Sequence, residues 1–588
     1  MKIDIKPIVT TILLGNIVFS SLMNLNAQNT STSSTPPENQ KDDLSSESVI
    51  ITKTFNPTIN DAFKINESPN LDEELQIDKS SKGFDYSIRS VPVASSFNPQ
   101  KGKAVDLKIK NQPITFDNYV RFSAGMYLGL ELDAFLTKNL DRNSKLQAFV
   151  QHTSSQNGGI SMEGASNFDH SFYDTNLSLG YLRDEKKTPW NTQLNLLHRL
   201  YHWYGISDEV SSQLITSQNN ELDVSRNFIG VDVQSGMKFS DKMLSSIDGY
   251  LSHFRDDYDA NENQIVLSSN LRPSLFKQAI DIGLELDYLN GGFKYEHLTT
   301  ERLHQNLLLK FNPNVRFSLG DFNFKVGATA VNTSDFEASE NELDFFPDAE
   351  VSYFISGLKA SVFTHLKGGV LQNSYRKFAA DNEFTAPDLQ IIPTKETYRA
   401  GLGLAGELAS KLDYRVSYEY SELENNPFWV QNEYNPNNNQ SFMFENSFGL
   451  EYDKLNKSHF NLGVDFKTSD VLVHFNLNVF NYRTQNLAKA WNMPNITSDV
   501  MVKLPVLKSF ELTSQLFYVG HRYERQPSTS ESLKLDSYFD ANINLSYKIG
   551  KHFDLFVMGH NLISQNYEKW KNFPVQSIQA SGGIRYKF

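Results

Sequence analysis

The chain has 588 residues and a formal net charge of −14, an acidic balance that argues against nucleic acid as a partner. It contains no cysteine, which excludes disulfides, a cysteine-linked lipid anchor and thiolate metal sites. Its mean hydropathy of −0.44 is too polar for a helical membrane protein, yet phenylalanine (42) and tyrosine (26) are abundant. Low hydropathy with many aromatic residues is typical of a transmembrane β-barrel, with a large soluble all-β protein as the alternative.

The amino terminus has the pattern of a secretory signal peptide. Lys2 and Lys6 precede an apolar run over residues 8–23, and a short cleavage motif ends at Ala27. A positive start, an apolar centre and a small residue at the cut are the features of such peptides. We therefore predict a signal peptide over residues 1–27, with an uncleaved anchor as the alternative, and a protein exported to the cell envelope.

Residues 28–115 contain a linker and an extension. Residues 28–47 are rich in Ser, Thr, Asn, Pro and acidic residues, which predicts a flexible linker. A β-prone segment follows, formed by Glu47, Ser48, Val49, Ile50, Ile51 and Thr52. The remainder of residues 48–115 has mixed polarity, scattered prolines and no sustained period. We expect partly ordered extended structure there and no independent domain.

Strict alternation of apolar and polar residues begins at about Tyr119. Apolar residues occupy every second position from Val120 to Leu136, and Arg121, Glu131 and Asp133 lie between them. A period of two indicates a strand with different environments on its two faces. At roughly 3.3 Å per residue such a strand crosses a tilted bilayer. We therefore predict one membrane-spanning strand over residues 119–136.

The alternation recurs along the rest of the chain. Further alternating segments cover residues 398–408, 412–420, 460–467, 471–479, 539–549 and 577–588. Short connections at residues 409–411 and 550–552 contrast with candidate long loops at residues 153–169, 207–226, 256–263, 371–395, 423–440 and 522–533. This layout predicts an all-β antiparallel transmembrane barrel over residues 116–588, with about 22 strands and 18 or 20 as alternatives. A lumen that wide must be plugged, or it conducts.

The carboxy terminus carries the most regular alternation. Ile584, Tyr586 and Phe588 lie on one face, and Arg585 and Lys587 lie on the other. A closing barrel strand needs such faces because one meets lipid and the other meets water. An aromatic last residue on an amphipathic strand resembles the signal read by the outer-membrane barrel assembly machinery. We therefore expect that machinery and outer-membrane lipid as partners.

The last strands also suggest a family. Residues 538–547, residues 551–556, Asn561-Leu562 followed by Tyr567-Glu568, and the closing residues 582–588 resemble the end of a TonB-dependent receptor barrel. In that family, Asn-Leu, a polar turn and Tyr-Glu join the last two strands. The resemblance is good over this region and covers the rest of the barrel only in its general pattern.

The resemblance implies a 22-stranded barrel closed by an amino-terminal plug, which imports siderophores, cobalamin, glycans or peptides with energy from TonB. Residues 47–52 resemble a TonB box, a mobile β-prone segment that pairs with TonB as an added strand, although a chance Val-Ile-Ile is the alternative. The chain departs from the family because residues 28–115 are too few for its usual plug and lack its Arg-Gly and Asp-Gly-Val-Pro signatures. We expect a reduced plug, a lumen-lining segment or a periplasmic contact element.

Two local motifs have the spacing of metal ligands. His198 and His202 could share a metal on a helix, but the sequence around them predicts strand and loop and lacks the HExxH glutamate. Residues 257–263 alternate oxygen ligands but lack the glycine and the final carboxylate of a calcium loop, where Ser268 stands. We therefore expect no metal and no cofactor. Nothing marks a catalytic triad, so no enzyme is predicted.

The predicted function is binding or passage of a solute across the outer membrane of a Gram-negative cell, with TonB as a possible partner. One alternative is an accessory barrel that serves a larger envelope complex with other envelope proteins, and a second is a passive channel. Inward charges could line a substrate path or could simply face water and one another. These charges are Arg121, Glu131, Asp133, Arg399, Glu407, Arg415 and Glu419.

Overall fold

The computed structural model of the protein describes residues 118–160, 167–208, 210–211, 223–240, 243–275, 278–294, 301–408, 411–435, 440–526, 531–563 and 566–588. The predicted signal peptide, the linker, residues 47–52 and the rest of the extension to residue 115 lie outside these ranges. Among the described residues, no helix is long and apolar enough to cross a membrane.

The described chain forms a closed antiparallel barrel of 22 strands. In chain order the barrel strands are β1 (Tyr119–Gly125), β2 (Leu130–Asn139), β3 (Ser144–Ser155), β4 (Phe172–Arg183), β5 (Trp190–His202), β6 (Ser225–Lys238), β7 (Leu244–Asp256), β8 (Asn261–Leu271), β9 (Gln278–Phe293), β10 (Arg302–Leu319) and β11 (Phe322–Asp335). They continue as β12 (Glu340–Ile355), β13 (Ala360–Leu371), β14 (Thr394–Leu408), β15 (Leu412–Gln431), β16 (Phe448–Lys467), β17 (Leu472–Thr484), β18 (Ile496–Leu507), β19 (Phe510–Val519), β20 (Tyr538–Ile549), β21 (Phe553–His560) and β22 (Gln579–Lys587). The predicted strand number is confirmed.

Several short elements lie in the connections. A short helix, α1 (Tyr375–Asp381), follows β13, and 3-10 turns cover Met126–Leu128 and Ser356–Leu358. Two small hairpins pair Arg522–Arg525 with Ser532–Leu535 and Glu568–Trp570 with Phe573–Pro574. A two-residue strand, Ser274–Leu275, extends the pairing of β9. Each barrel strand pairs with the next, and β22 pairs with β1, which closes the ring.

The outer surface of the barrel is apolar. Large side chains such as Leu146, Leu251, Leu402 and Ile584 are exposed on it, as lipid contact requires. At the end with the short turns, aromatic pairs mark the interfacial girdle. These pairs are Tyr181 with Trp190, Phe317 with Phe324, Phe322 with Tyr353, Phe510 with Tyr547 and Phe553 with Tyr586, with ring centroids 4.5–5.0 Å apart.

The predicted single strand over residues 119–136 is wrong, because a tight turn divides it into β1 and β2. Tyr127 and Leu128 have φ values of 55° and 47°, which reverse the chain. The turn preserves the alternation: Phe122 pairs with Leu132 and Ala124 with Leu130, so apolar residues stay on one face across the reversal. An unbroken period of two therefore hid a hairpin.

Two predicted long loops are shorter than expected. Strands β7 and β8 are joined by residues 257–260 alone, because the carboxylate of Asp256 accepts the N–H groups of Tyr258 and Ala260, each at 2.9 Å. Asp259 has a φ of 65°, which a turn this tight requires. Strand β15 extends to Gln431 through a bulge at Asn425, where φ is 53°, so the predicted loop 423–440 begins later.

The β22–β1 seam depends on a close backbone approach at Gly583. A Cβ at this position would lie 2.1 Å from the carbonyl oxygen of Phe122 and 2.5 Å from the ring of Phe556. At the adjacent Gly582 the nearest atom, the carbonyl oxygen of Phe556, would be 3.7 Å away, which is ordinary contact. A side chain is therefore sterically excluded at Gly583 but tolerated at the adjacent Gly582.

We predict that Gly583→Ala weakens closure of the barrel, whereas Gly582→Ala leaves it unchanged. The substitution at position 583 forces backbone apart at the seam, at a cost of about 1–3 kcal/mol. In SDS gels run in the cold, the folded barrel migrates differently from the heat-unfolded chain. The preheating temperature at which the folded band disappears should be lower for Gly583→Ala than for the wild type. Equal behaviour of the two variants would show that the seam has no steric requirement at Gly583.

Candidate functional site

Long connections gather at the end of the barrel opposite the short turns, called here the loop end. Three of them are L3 (residues 203–224), L7 (residues 372–393) and L11 (residues 561–578), which follow β5, β13 and β21. Their roots are about a third of the ring apart. Twenty-two strands about 4.8 Å apart and tilted by about 40° close to a ring about 44 Å across. A contact among all three loops therefore has to extend from the wall over the lumen.

Such a contact is formed by one aromatic residue from each loop. The rings of Phe384 from L7 and Phe573 from L11 stack with centroids 3.7 Å apart. Tyr204 from L3 packs edge-on against both, at 5.5 Å from Phe384 and 5.0 Å from Phe573. We call these residues the three-loop junction. It lies over the lumen at the loop end.

Neighbouring residues hold the junction together. A Cβ at Gly205 would lie 2.4 Å from the ring of Phe573, so only glycine leaves room for that ring. The hydroxyl of Tyr204 donates to the carbonyl of Pro574 at 3.1 Å. Lys569 of L11 pairs with Glu383 of L7 at 2.9 Å, beside the junction. The three loops are thus joined by shape, hydrogen bonding and charge.

The junction continues into a buried aromatic core. Trp203, Phe442 and Phe448 are almost fully buried within it, together with the other members Trp429 and Trp570. Phe448 also exchanges backbone hydrogen bonds with L7, since its N–H donates to Phe384 at 3.0 Å and its carbonyl accepts from Ala386 at 2.8 Å. Burial of large aromatic side chains supplies most of the stability of such packing.

Helix α1 of L7 is anchored to the inner wall through a buried ion pair. Arg226 on β6 is 1% exposed and lies 2.9 Å from Asp256 on β7. The hydroxyl of Tyr375 on α1 donates to Asp256 and accepts from Arg226. The Arg226 guanidinium also stacks on the ring of Trp203 at 4.6 Å. Burial raises the pKa of the Tyr375 hydroxyl, which therefore stays protonated and can donate.

Two further wall carboxylates hold the start of α1. Glu262 on β8 accepts the N–H groups of Tyr375 at 2.6 Å and Arg376 at 3.3 Å, and so satisfies free donors of the first helical turn. The guanidinium of Arg376 pairs with Asp232 on β6 and donates to Ser252 on β7 at 3.0 Å. Because Asp232 and Ser252 alternate with exposed apolar residues, they face the lumen, and Arg376 reaches into it.

A second buried carboxylate joins one further connection to the end of β15 and to the connection after β17. Glu524, in the connection L10 (residues 520–537), is 0% exposed. It accepts the N–H of Gln431 at 3.2 Å, the N–H of Arg525 at 2.9 Å and the side-chain amide of Asn492 at 2.5 Å. Burial raises its pKa to about 7, against the opposing effect of these hydrogen bonds. Arg522 of the same hairpin donates to the carbonyl of Glu568 in L11 at 2.8 Å.

The inward charges expected from the sequence lie on the barrel wall. Arg121 is 6% exposed, while its neighbour Phe122 faces outward. Its guanidinium pairs with Asp133 at 2.7 Å and with Glu131 at 2.9 Å, beside the seam. These residues therefore contact one another, and whether they also guide a solute stays a prediction.

The other four inward charges are on the opposite part of the wall. Their contacts are Arg399 with Glu396 (3.3 Å), Glu407 with Lys359 (3.9 Å), Arg415 with the ring of Phe363 (5.2 Å), and Glu419 with His365 (3.4 Å) and His459 (3.9 Å). None of them reaches the three-loop junction through the contacts seen among described residues. A role for them in a substrate path likewise stays a prediction.

The two histidine positions are on a strand, as expected, but they differ in exposure, whereas the carboxy terminus alternates as predicted. His198 and His202 are on strand β5, where His198 is exposed and His202 is buried against the carbonyl of Ser171 at 2.6 Å. Ile584, Tyr586 and Phe588 are exposed on the outer face, and their role in assembly stays a prediction. No group of three potential metal ligands occurs within the described part of the chain.

The sequence did not single out Tyr204, Phe384, Phe573, Arg226 or Glu524. The only available signal was the frequency of aromatic residues in long connections, which does not indicate which loops meet. Their partners are far apart in the chain and come together only through closure of the ring.

The geometry defines the class: a membrane-spanning β-barrel of outer-membrane type whose loop end is covered by its own loops. Similar solved structures are TonB-dependent receptors, and the barrel has their fold. The FrpB iron transporter of Neisseria meningitidis aligns with a TM-score of 0.61 and 9% identity, over 82% of this chain and 83% of FrpB. The ferric-catecholate import receptor Fiu of E. coli K12 aligns with a TM-score of 0.57 and 9% identity, over 81% and 82%.

The siderophore receptor PirA of Acinetobacter baumannii is similar to the same degree, with a TM-score of 0.57 and 8% identity over 81% of both chains. No family model and no curated protein matches the sequence. The likeness at this level of identity concerns the fold. The similar structures named above are those of an iron transporter, an import receptor and a siderophore receptor.

Proposed function

We propose that this protein is an outer-membrane receptor-type barrel through which a solute passes, with L7 and the three-loop junction as its gate. The observation that carries the proposal is the combination of a lipid-facing ring, a polar lumen and a loop closure over the lumen. In outer-membrane barrels the short turns face the periplasm and the long loops face outside, which makes the junction an extracellular gate. Passage then requires L7 to leave its anchor on β6–β8.

We also propose that energy for opening comes from TonB through residues 47–52. A β-prone segment behind a polar linker suits strand addition to a periplasmic partner. The extension to residue 115 would then lie on the periplasmic side or within the lumen. The fold shared with import receptors supports this assignment.

A second candidate function is that of a sealed accessory barrel in a larger envelope complex. The observation that favours it is the dense packing of the loop core. In this core the buried ion pair of Arg226 with Asp256 holds L7 against the barrel wall. A gate has to open, whereas an accessory barrel does not. The two functions therefore differ in whether release of L7 produces a conducting pore.

We predict that Arg376→Ala increases the conductance of the full-length protein in planar bilayers. The substitution removes the ion pair with Asp232, so the wild type should be mostly closed and the variant should show frequent long openings. Lys377→Ala is the control, since the Lys377 amine donates within L7 to Asn373 at 3.2 Å. Steady conduction by the wild type would instead indicate a passive channel. A variant as silent as the wild type would favour the accessory barrel.

A further inference from the structure

The lumen wall below the gate is divided into two chemically different halves. On strands β3–β8 the inward residues between the L7 anchor and the short turns are mostly amides and hydroxyls. We call Gln147, Asn191, Gln193, Asn195, Gln234 and Tyr250 the amide wall. The opposite wall carries ion pairs, including Lys325 with Asp348 (2.7 Å), Lys367 with Glu350 (2.5 Å) and Lys503 with Glu511 (3.0 Å).

A cavity of about 360 Å³ lies against the amide wall. Gln147, Gln193 and Gln234 line it from three different strands, and Tyr250 lines it from β7. Asp248 is the only carboxylate of the lining and is exposed. The lining is therefore almost entirely neutral, and it is rich in groups that can both donate and accept hydrogen bonds.

At Gly236 the absence of a side chain lets two polar side chains pack against the backbone of the cavity wall. A Cβ at Gly236 would lie 2.6 Å from the carboxylate of Asp248 and 3.0 Å from the side-chain oxygen of Asn191. Without that Cβ, both side chains approach the backbone, and the Asn191 oxygen accepts the N–H of Gly236 at 3.0 Å. The two oxygens make this part of the cavity polar.

The amides of the wall are held in fixed orientations by one another. Ser178 donates to the side-chain oxygen of Asn195 at 2.6 Å, and Gln193 donates to the same oxygen at 2.7 Å. Gln234 donates to the side-chain oxygen of Gln193 at 3.3 Å. Each amide has two N–H groups and two lone pairs, so these hydrogen bonds use only part of the donors and acceptors of the amides. The remaining donors and acceptors are ordered before any ligand arrives.

The cavity also touches the anchor of the gate. The hydroxyl of Tyr250 donates to Asp232 at 3.1 Å, and Asp232 is the carboxylate that holds Arg376 of L7. A ligand that takes the Tyr250 hydroxyl would remove one of the donors that orient Asp232. Occupancy of the cavity and the position of L7 are thus linked through a single carboxylate.

We propose that the amide wall is a binding site for a neutral, hydroxyl-rich solute such as an oligosaccharide. This inference deepens the proposed passage function and rests on it. A hydroxyl both donates and accepts, so it matches an amide wall without leaving unpaired groups. An acidic ligand would lose hydration there and would meet Asp248 as a like charge, and a basic ligand would gain only the exposed Asp248 as a counter-ion.

The test is calorimetric titration of the full-length protein in a detergent without a sugar head group. The probes are maltohexaose as the neutral oligosaccharide, hexagalacturonate as the acidic one and hexaglucosamine as the basic one. Maltohexaose should bind at least about tenfold more tightly than either charged probe. Tighter binding of a charged probe, or no binding of maltohexaose at millimolar concentration, would overturn the proposal.

Variants then locate the site. Gln193→Leu with Gln234→Leu should weaken maltohexaose binding about tenfold, whereas Asn461→Leu with Asn476→Leu, a hydrogen-bonded amide pair at 2.8 Å on β16 and β17, should not. Gln193→Glu with Gln234→Glu keeps a polar wall and should shift preference to hexaglucosamine. Binding that is equal in all these variants would place the ligand elsewhere and overturn the proposal. Because calorimetry needs no passage, a silent channel with this binding pattern would instead count against the proposed function.

Discussion

Replacing Arg226 with methionine is expected to release L7 from the barrel wall. The side chain of Asp256 is 0% exposed, and without Arg226 it retains only the Tyr375 hydroxyl and the N–H groups of its own turn. Removing one partner of a buried ion pair typically costs about 3–5 kcal/mol because it leaves an uncompensated charge. Amide hydrogen exchange of α1 should then rise by on the order of 100-fold, while the amides of the central barrel strands stay protected.

The matched control is Arg255→Met, one position before Asp256. Arg255 is exposed on the outer face of β7, so the same change of residue type removes no buried pair. A double variant, Arg226→Met with Asp256→Asn, removes both charges and should recover much of the lost protection. If α1 in the single variant exchanges as slowly as in the wild type, the aromatic packing alone holds L7, and the ion pair is dispensable.

The loosening expected in Arg226→Met extends beyond α1 because Arg226 contacts L3 and L7 as well as its own strand β6. Its guanidinium stacks on Trp203 at the start of L3 and on Phe228 of β6, at 4.6 Å and 4.5 Å. Loss of these contacts should loosen L3 as well as L7, and both loops contribute to the three-loop junction. Exchange at Trp203 and at Phe384 should therefore rise together in Arg226→Met.

Much of the barrel could be predicted from the sequence because each strand faces lipid on one side and water on the other. That environment imposes a period of two wherever a strand crosses the membrane, so most strands appear as alternating segments and their number can be predicted approximately. The same rule explains the error at residues 126–129. A turn that keeps the parity, with Phe122 opposite Leu132, leaves no mark in an alternating pattern.

The gate could not be predicted from the sequence, for a physical reason. Tyr204, Phe384 and Phe573 are in three loops whose spacing around the ring is known only once the strands are paired. Aromatic residues in long connections would equally suit an exposed ligand surface. The amide wall could not be predicted for the same reason, since Gln147, Gln193 and Gln234 come together only through the register of β3 to β6.

The loop end is also expected to be more stable in acid than in base because of Glu524. Burial raises the pKa of this carboxyl to about 7, so the folded hairpin binds a proton that the opened, solvated hairpin releases. A raised folded pKa contributes stability that is fully present below the unfolded pKa and is lost as pH rises through the folded pKa. Between pH 5.5 and pH 8 the loss should be on the order of 2 kcal/mol.

Amide hydrogen exchange at residues 522–525, corrected for the intrinsic effect of pH, measures this loss directly. Wild type should open more readily at pH 8 than at pH 5.5, and Glu524→Gln should remove the difference because its amide does not titrate. Glu433→Gln, which makes the same change at an exposed loop position, should behave as the wild type. If the pH dependence of opening persists in Glu524→Gln, another titrating group causes it. Because Glu524 contacts Gln431, Asn492 and Arg525 at once, its ionisation should loosen several connections together.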